Sequence, residues 1–276
     1  MKVAVLGSSG GMGAYFVRRF LGDGHTVIGY DARKARAPRK LMWADSNAHA
    51  TRGADVVLIS VPIRETGKIG REIASSLKEG SVLVEITSLK AGARADLNRA
   101  LRGRKVTLIS VHPMFGPLST SRCPRILVLG GARELDISRS VFPWARLIQI
   151  SERDHDKIMA YALNLVHLLN LAFVSTVSKG IGIEKFGKVS SPLGAAQLAV
   201  SEAVLSQDPS LYSYIMIENP FAAKTISSII REFQKLAKVV REKDQEEFER
   251  RFVTLSREIP EPRLRKALEV IYTSFD

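Results

Sequence analysis

Thiol chemistry is nearly absent from this chain: its 276 residues hold one cysteine, Cys123. A single thiol closes no internal disulfide and supplies no cysteine metal cluster. Long apolar runs are also missing by eye, none approaching the roughly 20 residues that span a bilayer, so no membrane partner is expected. The apolar stretch in MKVAVLGSSGG is only about five residues long and ends in glycine, too short for a secretory signal. With the lone cysteine, this reads as a cytoplasmic chain. No internal repeat or low-complexity linker stands out. Acidic residues are scarce, 28 against 41 basic ones, and the net charge is +13. Such an excess favours anionic partners. The basic residues are scattered, with one compact block at Arg33–Lys40 (RKARAPRK). No helix-turn-helix or aromatic-basic platform appears, so nucleic acid is not an expected partner.

What is present is ordinary globular composition, 45% hydrophobic and 25% charged, in a length that suits one or two domains. Up to about residue 150 the chain alternates β-branched runs with helical stretches. Lys2–Gly7, Thr26–Tyr30, Asp55–Val61, Ser81–Ile86 and Val106–Val111 read as strands, extended by Ile126–Leu129 and Leu147–Ile150. Met12–Leu21, Ile69–Leu77 and Ala91–Leu101 read as helices. Continuous apolar strands in βα alternation predict an α/β fold with a Rossmann-type doubly wound parallel sheet. From residue 151 the pattern is helical, so residues 1–150 are expected to form a dinucleotide-binding domain and 151–276 an all-α C-terminal domain. The stretch Asp154–Ser178 is apolar all round in its second half, which predicts burial in a helical core or a homodimer interface.

The first strand runs into Gly7-Ser8-Ser9-Gly10-Gly11-Met12-Gly13 and then a helix. Small residues there let the backbone approach a pyrophosphate, whose charge is stabilised by free N–H groups and the helix dipole. The spacing is G-x-x-G-x-x-G, with Ser8 where the dinucleotide pattern usually has glycine. Asp31 ends the second strand 18 residues after Gly13, placed to accept hydrogen bonds from ribose hydroxyls and to repel a 2′-phosphate. That favours NAD. The cations Arg33, Lys34 and Arg36 keep NADP open.

In open α/β sheets ligands gather at the carboxyl ends of strands. Those ends here are Ser60-Val61-Pro62, Thr87-Ser88-Leu89-Lys90 and His112-Pro113-Met114-Phe115-Gly116-Pro117. His112 is the one histidine at such an edge, and Pro113 biases it toward extended backbone. A histidine there can take a proton near neutral pH, with Ser88 ending a neighbouring strand. His155 and His167 lie 12 residues apart on one helix, about 18 Å along its axis, and cannot share a metal. No metal site is expected. His167, within LNLVHLLNL, is either a hydrogen-bonded core residue or a polar group lining a pocket.

With these residues in view, the chain resembles the prephenate/arogenate dehydrogenases of tyrosine biosynthesis. The likeness rests on HPMFGP at His112–Pro117, TSLK at Thr87–Lys90, SVP at Ser60–Pro62, Asp154-His155-Asp156 with Met159, and Gln207-Asp208-Pro209 with Leu211 and Tyr212. The resemblance implies NAD(P)-dependent oxidative decarboxylation of a small anionic cyclohexadienyl acid by a homodimer. It implies that His112 accepts the ring hydroxyl proton and that Ser88 orients His112, the hydroxyl or the nicotinamide. It also implies that Met114, Gly116 and His167 contact substrate, while the glycine turn, Asp31, Arg33 and Ser60–Pro62 hold the cofactor. Family members usually carry an arginine six residues before the proline of the Asp-Pro pair, where this chain has Ala203. Alternative readings are another two-domain dehydrogenase, of the β-hydroxyacid or deazaflavin-NADP type, or a non-catalytic nucleotide sensor.

Overall fold

The computed structural model describes residues 1–275 as two compact units that divide between Met159 and Ala160. The first unit contains β1 (Lys2–Leu6), α1 (Gly11–Gly22), β2 (Thr26–Tyr30), β3 (Met42–Trp43), α2 (Asn47–Thr51), β4 (Val56–Ile59) and α3 (Ile63–Ile73). It continues with β5 (Val82–Glu85), α4 (Ala93–Ala100), β6 (Thr107–Pro113), β7 (Arg125–Leu129), α5 (Ala132–Val141), β8 (Arg146–Ile150) and α6 (Glu152–Met159). The strands form one sheet in the order β3-β2-β1-β4-β5-β6-β7-β8, with every pair parallel except β6–β7. This is the Rossmann-type doubly wound sheet, modified at one edge. The chain returns from β6 to β7 through Met114–Pro124 without a crossover helix, and a parallel pairing would need one.

Central-strand residues Val3, Val5, Leu58, Val84 and Ile109 are buried on one face of the sheet with Phe16, Phe20 and Phe142. Ala4, Leu6, Val57, Ile59 and Leu83 are buried on the other with Ile73 and Leu97. Alternate residues of the same strands thus enter two different cores, as a sheet covered on both faces requires. Helix α3 starts six residues before the expected Ile69. Pro62 precedes its first turn, and its buried residues Ile63, Thr66, Gly67, Gly70 and Ile73 follow helical spacing.

The unit boundary lies nine residues beyond the expected 150/151, because α6 is tied to the first unit. Asp156 accepts the backbone N–H groups of Lys90 and Ala91, and His155 meets His112.

The second unit begins with a π-helical turn at Ala160–Leu165, followed by α7 (Val166–Gly180), α8 (Ile183–Val189), α9 (Pro192–Leu205) and α10 (Pro209–Glu218). Three further helices complete it: α11 (Ala222–Glu242), α12 (Gln245–Arg257) and α13 (Glu261–Phe275). Ser191 and Asp208 cap α9 and α10, each with proline at the start of the helix. The helical run Glu152–Gly180 is long and apolar enough to cross a membrane by length and composition, which corrects the expectation that no run approaches that length. Asn164, His167 and Asn170 interrupt its apolar residues in sequence, and all three are buried. Each makes a hydrogen bond to a backbone carbonyl.

Candidate active site

The glycine turn connects the buried end of β1 to α1, and its glycines are required by close approach. Gly7 has φ +79°, and a Cβ there would fall 2.3 Å from the Ser60 carbonyl oxygen. A Cβ on Gly13 would fall 2.0 Å from the Gly7 carbonyl oxygen. The turn therefore presses against the end of β4, bringing Ser60 and Val61 to the crevice between β1 and β4. Sequential order reverses there, where dinucleotides bind in such sheets. Helix α1 starts at Gly11, and its N-cap residue Gly10 provides no side-chain cap, so its first-turn N–H groups have no side-chain capping oxygen. The Ser8 hydroxyl is buried and has no hydrogen-bond partner among the described residues.

Asp31 lies beside this turn. Its carboxylate accepts the Ser9 N–H at 3.0 Å and the Arg33 N–H at 3.0 Å, and the Ser9 hydroxyl accepts the Ala35 N–H at 3.1 Å. An ionised carboxylate offers about four acceptor positions, so two remain for a ribose diol. Arg33 is exposed, and the Lys34 ammonium stands 5.5 Å from the centre of the Trp43 ring. These features fit an adenine dinucleotide, with turn amides for the pyrophosphate and Asp31 for the ribose.

The loop after β6 folds back over the turn. Pro117 Cγ lies 3.0 Å from where a Gly11 Cβ would be, and the Phe115 and Tyr15 rings are 5.0 Å apart. His112 thereby belongs to the same end of the sheet as the glycine turn. It is the penultimate residue of β6 rather than the residue after it, and is 4% exposed. Its Nδ1 lies 3.1 Å from His155 Nε2. Burial, then the nearby Lys90 cation, then His155 hold the His112 pKa well below the ordinary histidine value. His112 is thus neutral at physiological pH. With Nδ1 engaged, Nε2 is the nitrogen left to accept a proton.

Lys90 lies under the histidine. Its ammonium donates to Glu85 Oε1 at 2.7 Å and to the Val111 carbonyl at 2.7 Å. Glu85 Oε2 accepts from the Thr87 N–H and the Thr87 hydroxyl. Burial alone would raise the Glu85 pKa, but the Lys90 charge and these hydrogen bonds bring it below its ordinary value. Burial lowers the Lys90 pKa against the opposing pull of Glu85. The pair is fully enclosed, with side-chain exposures of 5% and 0%.

Of the expected contacts, Ser88 is half-buried and makes no hydrogen bond among the described residues, and the side chain that meets His112 Nδ1 is His155. Met114 donates its N–H to the Arg125 carbonyl, while Gly116 is exposed. Pro62 is exposed at the start of α3. In the second unit His167 Nδ1 donates to the Leu163 carbonyl at 2.8 Å, and its ring stacks on Tyr212 with centroids 4.0 Å apart. His167 Nε2 is buried with no partner among the described residues. Ala203 is exposed on α9. His155 and Lys90 enter the sequence reading as members of the matched motifs, with no role, and Glu85 only as part of a strand. The adjacent His155-Asp156 pair was the available signal, since a carboxylate beside a histidine often fixes its tautomer. No group of three or more metal-ligating side chains occurs among the described residues.

The family model for the prephenate dehydrogenase nucleotide-binding domain matches residues 14–122, and the model for the dimerization domain of that enzyme matches residues 151–254. A Methanocaldococcus jannaschii protein named "Probable arogenate/prephenate dehydrogenase" is 26% identical over 262 residues, covering 90% of this chain and 58% of that protein. A 4-amino-4-deoxyprephenate dehydrogenase of Streptomyces pristinaespiralis is 25% identical over 276 residues, covering 92% of this chain and 90% of that protein. Among solved structures, the A. aeolicus prephenate dehydrogenase in complex with hydroxyphenyl propionate and NAD+ matches with a TM-score of 0.73. It is 19% identical, and the match covers 93% of this chain and 97% of that one. This chain spans 58%, 64% and 56% of the length of three curated relatives it matches.

Proposed function

Because this chain belongs to the prephenate dehydrogenase family, we propose that it catalyses the oxidative decarboxylation of a cyclohexadienyl acid, prephenate or arogenate, with NAD as acceptor. The observation that carries this reading is His112: buried, held neutral, and with one ring nitrogen left to accept a proton beside a dinucleotide turn. Bound NAD supplies the acceptor for the hydride that leaves the ring carbon bearing the hydroxyl. His112 Nε2 takes the hydroxyl proton as the ring C–O bond gains carbonyl character. Loss of carbon dioxide then returns an electron pair to that oxygen, and His112 gives the proton back as the phenol forms. No net proton is consumed, so a neutral histidine that can be charged for part of the cycle suffices. Ser88, at the end of β5, is the candidate second contact to the hydroxyl. The turn Gly7–Gly13 holds the pyrophosphate, with Ser60, Val61 and Pro62 beside it.

Asp31 favours NAD. A 2′-phosphate would approach its carboxylate, whereas the ribose diol of NAD donates to it. Met114 and Gly116, in the loop after His112, and His167, with its bare Nε2, are candidate substrate contacts. The second unit carries the proposed homodimer surface, since α7 exposes Val166 and Leu171 in the single chain.

The test crosses NAD and NADP with prephenate and arogenate, following reduced nicotinamide and released carbon dioxide together. One molecule of each per turnover, with NAD preferred, is the expected result. Tight NAD binding without reduction by either acid would remove the proposed activity.

A further inference from the structure

Behind His112 runs a hydrogen-bonded chain that the reaction above does not use. Asp156 Oδ1 lies 2.7 Å from His155 Nδ1, and His155 Nε2 lies 3.1 Å from His112 Nδ1. His155 is 0% exposed and Asp156 7%. The Asp156 carboxylate also accepts the Lys90 N–H at 3.0 Å and the Ala91 N–H at 2.8 Å. Burial would raise its pKa, but the His155 hydrogen bond and these two amides together lower it. Asp156 is therefore ionised and can only accept, so His155 Nδ1 carries a proton. When His155 is neutral its Nε2 has no hydrogen, and the proton in the next bond must sit on His112 Nδ1. His112 Nε2 is then bare.

We propose that Asp156 and His155 are positioning residues that lock His112 in its Nδ1–H tautomer, reserving Nε2 for the substrate's hydroxyl proton. The inference rests on the functional reading above and deepens it. Lys90 clamps the two ends of the chain together: its backbone N–H holds Asp156, and its ammonium holds the Val111 carbonyl immediately before His112. When His112 becomes cationic during turnover, its Nδ1–H points at His155, which is backed by the Asp156 carboxylate.

With one proton added, the chain has two arrangements: the cationic His112 just described, and one in which the bridging proton sits on His155. A doubly protonated His155 donates to His112 Nδ1, which forces the His112 proton onto Nε2 and removes the acceptor. Protonation thus occupies His112 Nε2 in either arrangement and switches the site off. The charged groups around them are Lys90 from the stretch after β5 and, beyond it, Arg94 from α4, Glu85 from β5, and Asp156 from α6.

The test has a spectroscopic arm and a kinetic arm on the full chain. Long-range proton–nitrogen correlation spectra of histidine-labelled wild-type protein should show His112 protonated on Nδ1 and bare on Nε2 at neutral pH. A His112 protonated on Nε2 in that spectrum overturns the proposal whatever the activity. In the kinetic arm, Asp156→Asn and His155→Leu should lower kcat by roughly 10²-fold with substrate KM and NAD affinity little changed. His155→Gln, whose amide oxygen can accept from His112 Nδ1, should retain more activity than His155→Leu. Wild-type kcat and an unshifted acid limb in both Asp156→Asn and His155→Leu would overturn the positioning role. If wild-type protein oxidises neither acid, the functional reading fails, while the tautomer spectrum still decides the hydrogen-bond chain.

Discussion

In the first unit Phe16, Phe20 and Phe142 are almost completely enclosed, whereas in the second Phe233, Phe248 and Phe252 are 51%, 45% and 68% exposed. The contrast extends to the residue types that are buried. The first unit hides continuous apolar strands between two helical layers. Among the described residues of the second, Ala160, Ala196, Ile215, Ala222 and Val239 are its buried apolar side chains. Polar groups take other interior positions: Asn170 Oδ1 accepts from Gln197 at 2.8 Å and from Ser201 at 2.7 Å, joining α7 to α9. A helical unit with polar links inside and apolar side chains outside has surface left to cover, as the matched dimerization-domain model leads one to expect. The sheet unit buries its apolar strands within itself and holds the glycine turn and the histidine chain.

Four perturbations would break or sharpen that contrast. The largest effect is expected in the second unit. Leu171→Glu puts a charge on the apolar face of α7 and should convert dimer to monomer in light scattering at micromolar concentration, with NAD binding retained. An unchanged mass would put the interface elsewhere. In the first unit, Lys90→Met leaves Glu85 as a buried charge without its partner and should cost about 3–5 kcal/mol of stability in denaturant unfolding. A loss under about 1 kcal/mol would mean that Glu85 is satisfied without Lys90.

Acid should act on the first unit before the second. Glu85 and Asp156 have folded-state pKa values below their ordinary 4.5 and 3.8, so the unfolded chain binds those protons first. Their stabilisation is present above those ordinary values and is lost as pH falls through the lower folded ones. His112, also depressed, adds a loss that begins below its ordinary 6.5. Amide-exchange protection followed against pH should therefore fall in β5 and β6 first, and Asp156→Asn should flatten the lowest part of that fall. The smallest effect is expected at Asp31. Asp31→Asn removes a charged acceptor and should weaken NAD roughly tenfold while narrowing its advantage over NADP. Equal weakening of both cofactors would assign Asp31 to holding the turn through Ser9.

The central strands were legible because unbroken runs such as Val3–Leu6 and Val56–Ile59 are buried on both faces and carry no competing pattern. Strand β3 has two residues and left no periodicity to read. The antiparallel return of β7 depends on how Met114–Pro124 folds, which strand propensity does not encode. His112 was legible as a candidate because a histidine stood at a strand end before a proline. Its partner was not, since His155 lies 43 residues away and meets it only once α6, within the same unit, folds back onto Lys90 and Ala91. Ser88 is the nearer residue in sequence, but the hydrogen bond at His112 Nδ1 is made by His155. The polar interior of the second unit was hidden for a related reason: Asn170 and Ser201 become a pair only when α7 and α9 are side by side.

The central claim is that His112 Nε2 is the proton acceptor and takes no part in holding the cofactor. Its most direct test is to measure kcat and the NAD dissociation constant together for His112→Asn. The account predicts a fall in kcat of about 10²–10⁴-fold with NAD affinity unchanged. An equal loss of both, or near-wild-type turnover, would contradict it.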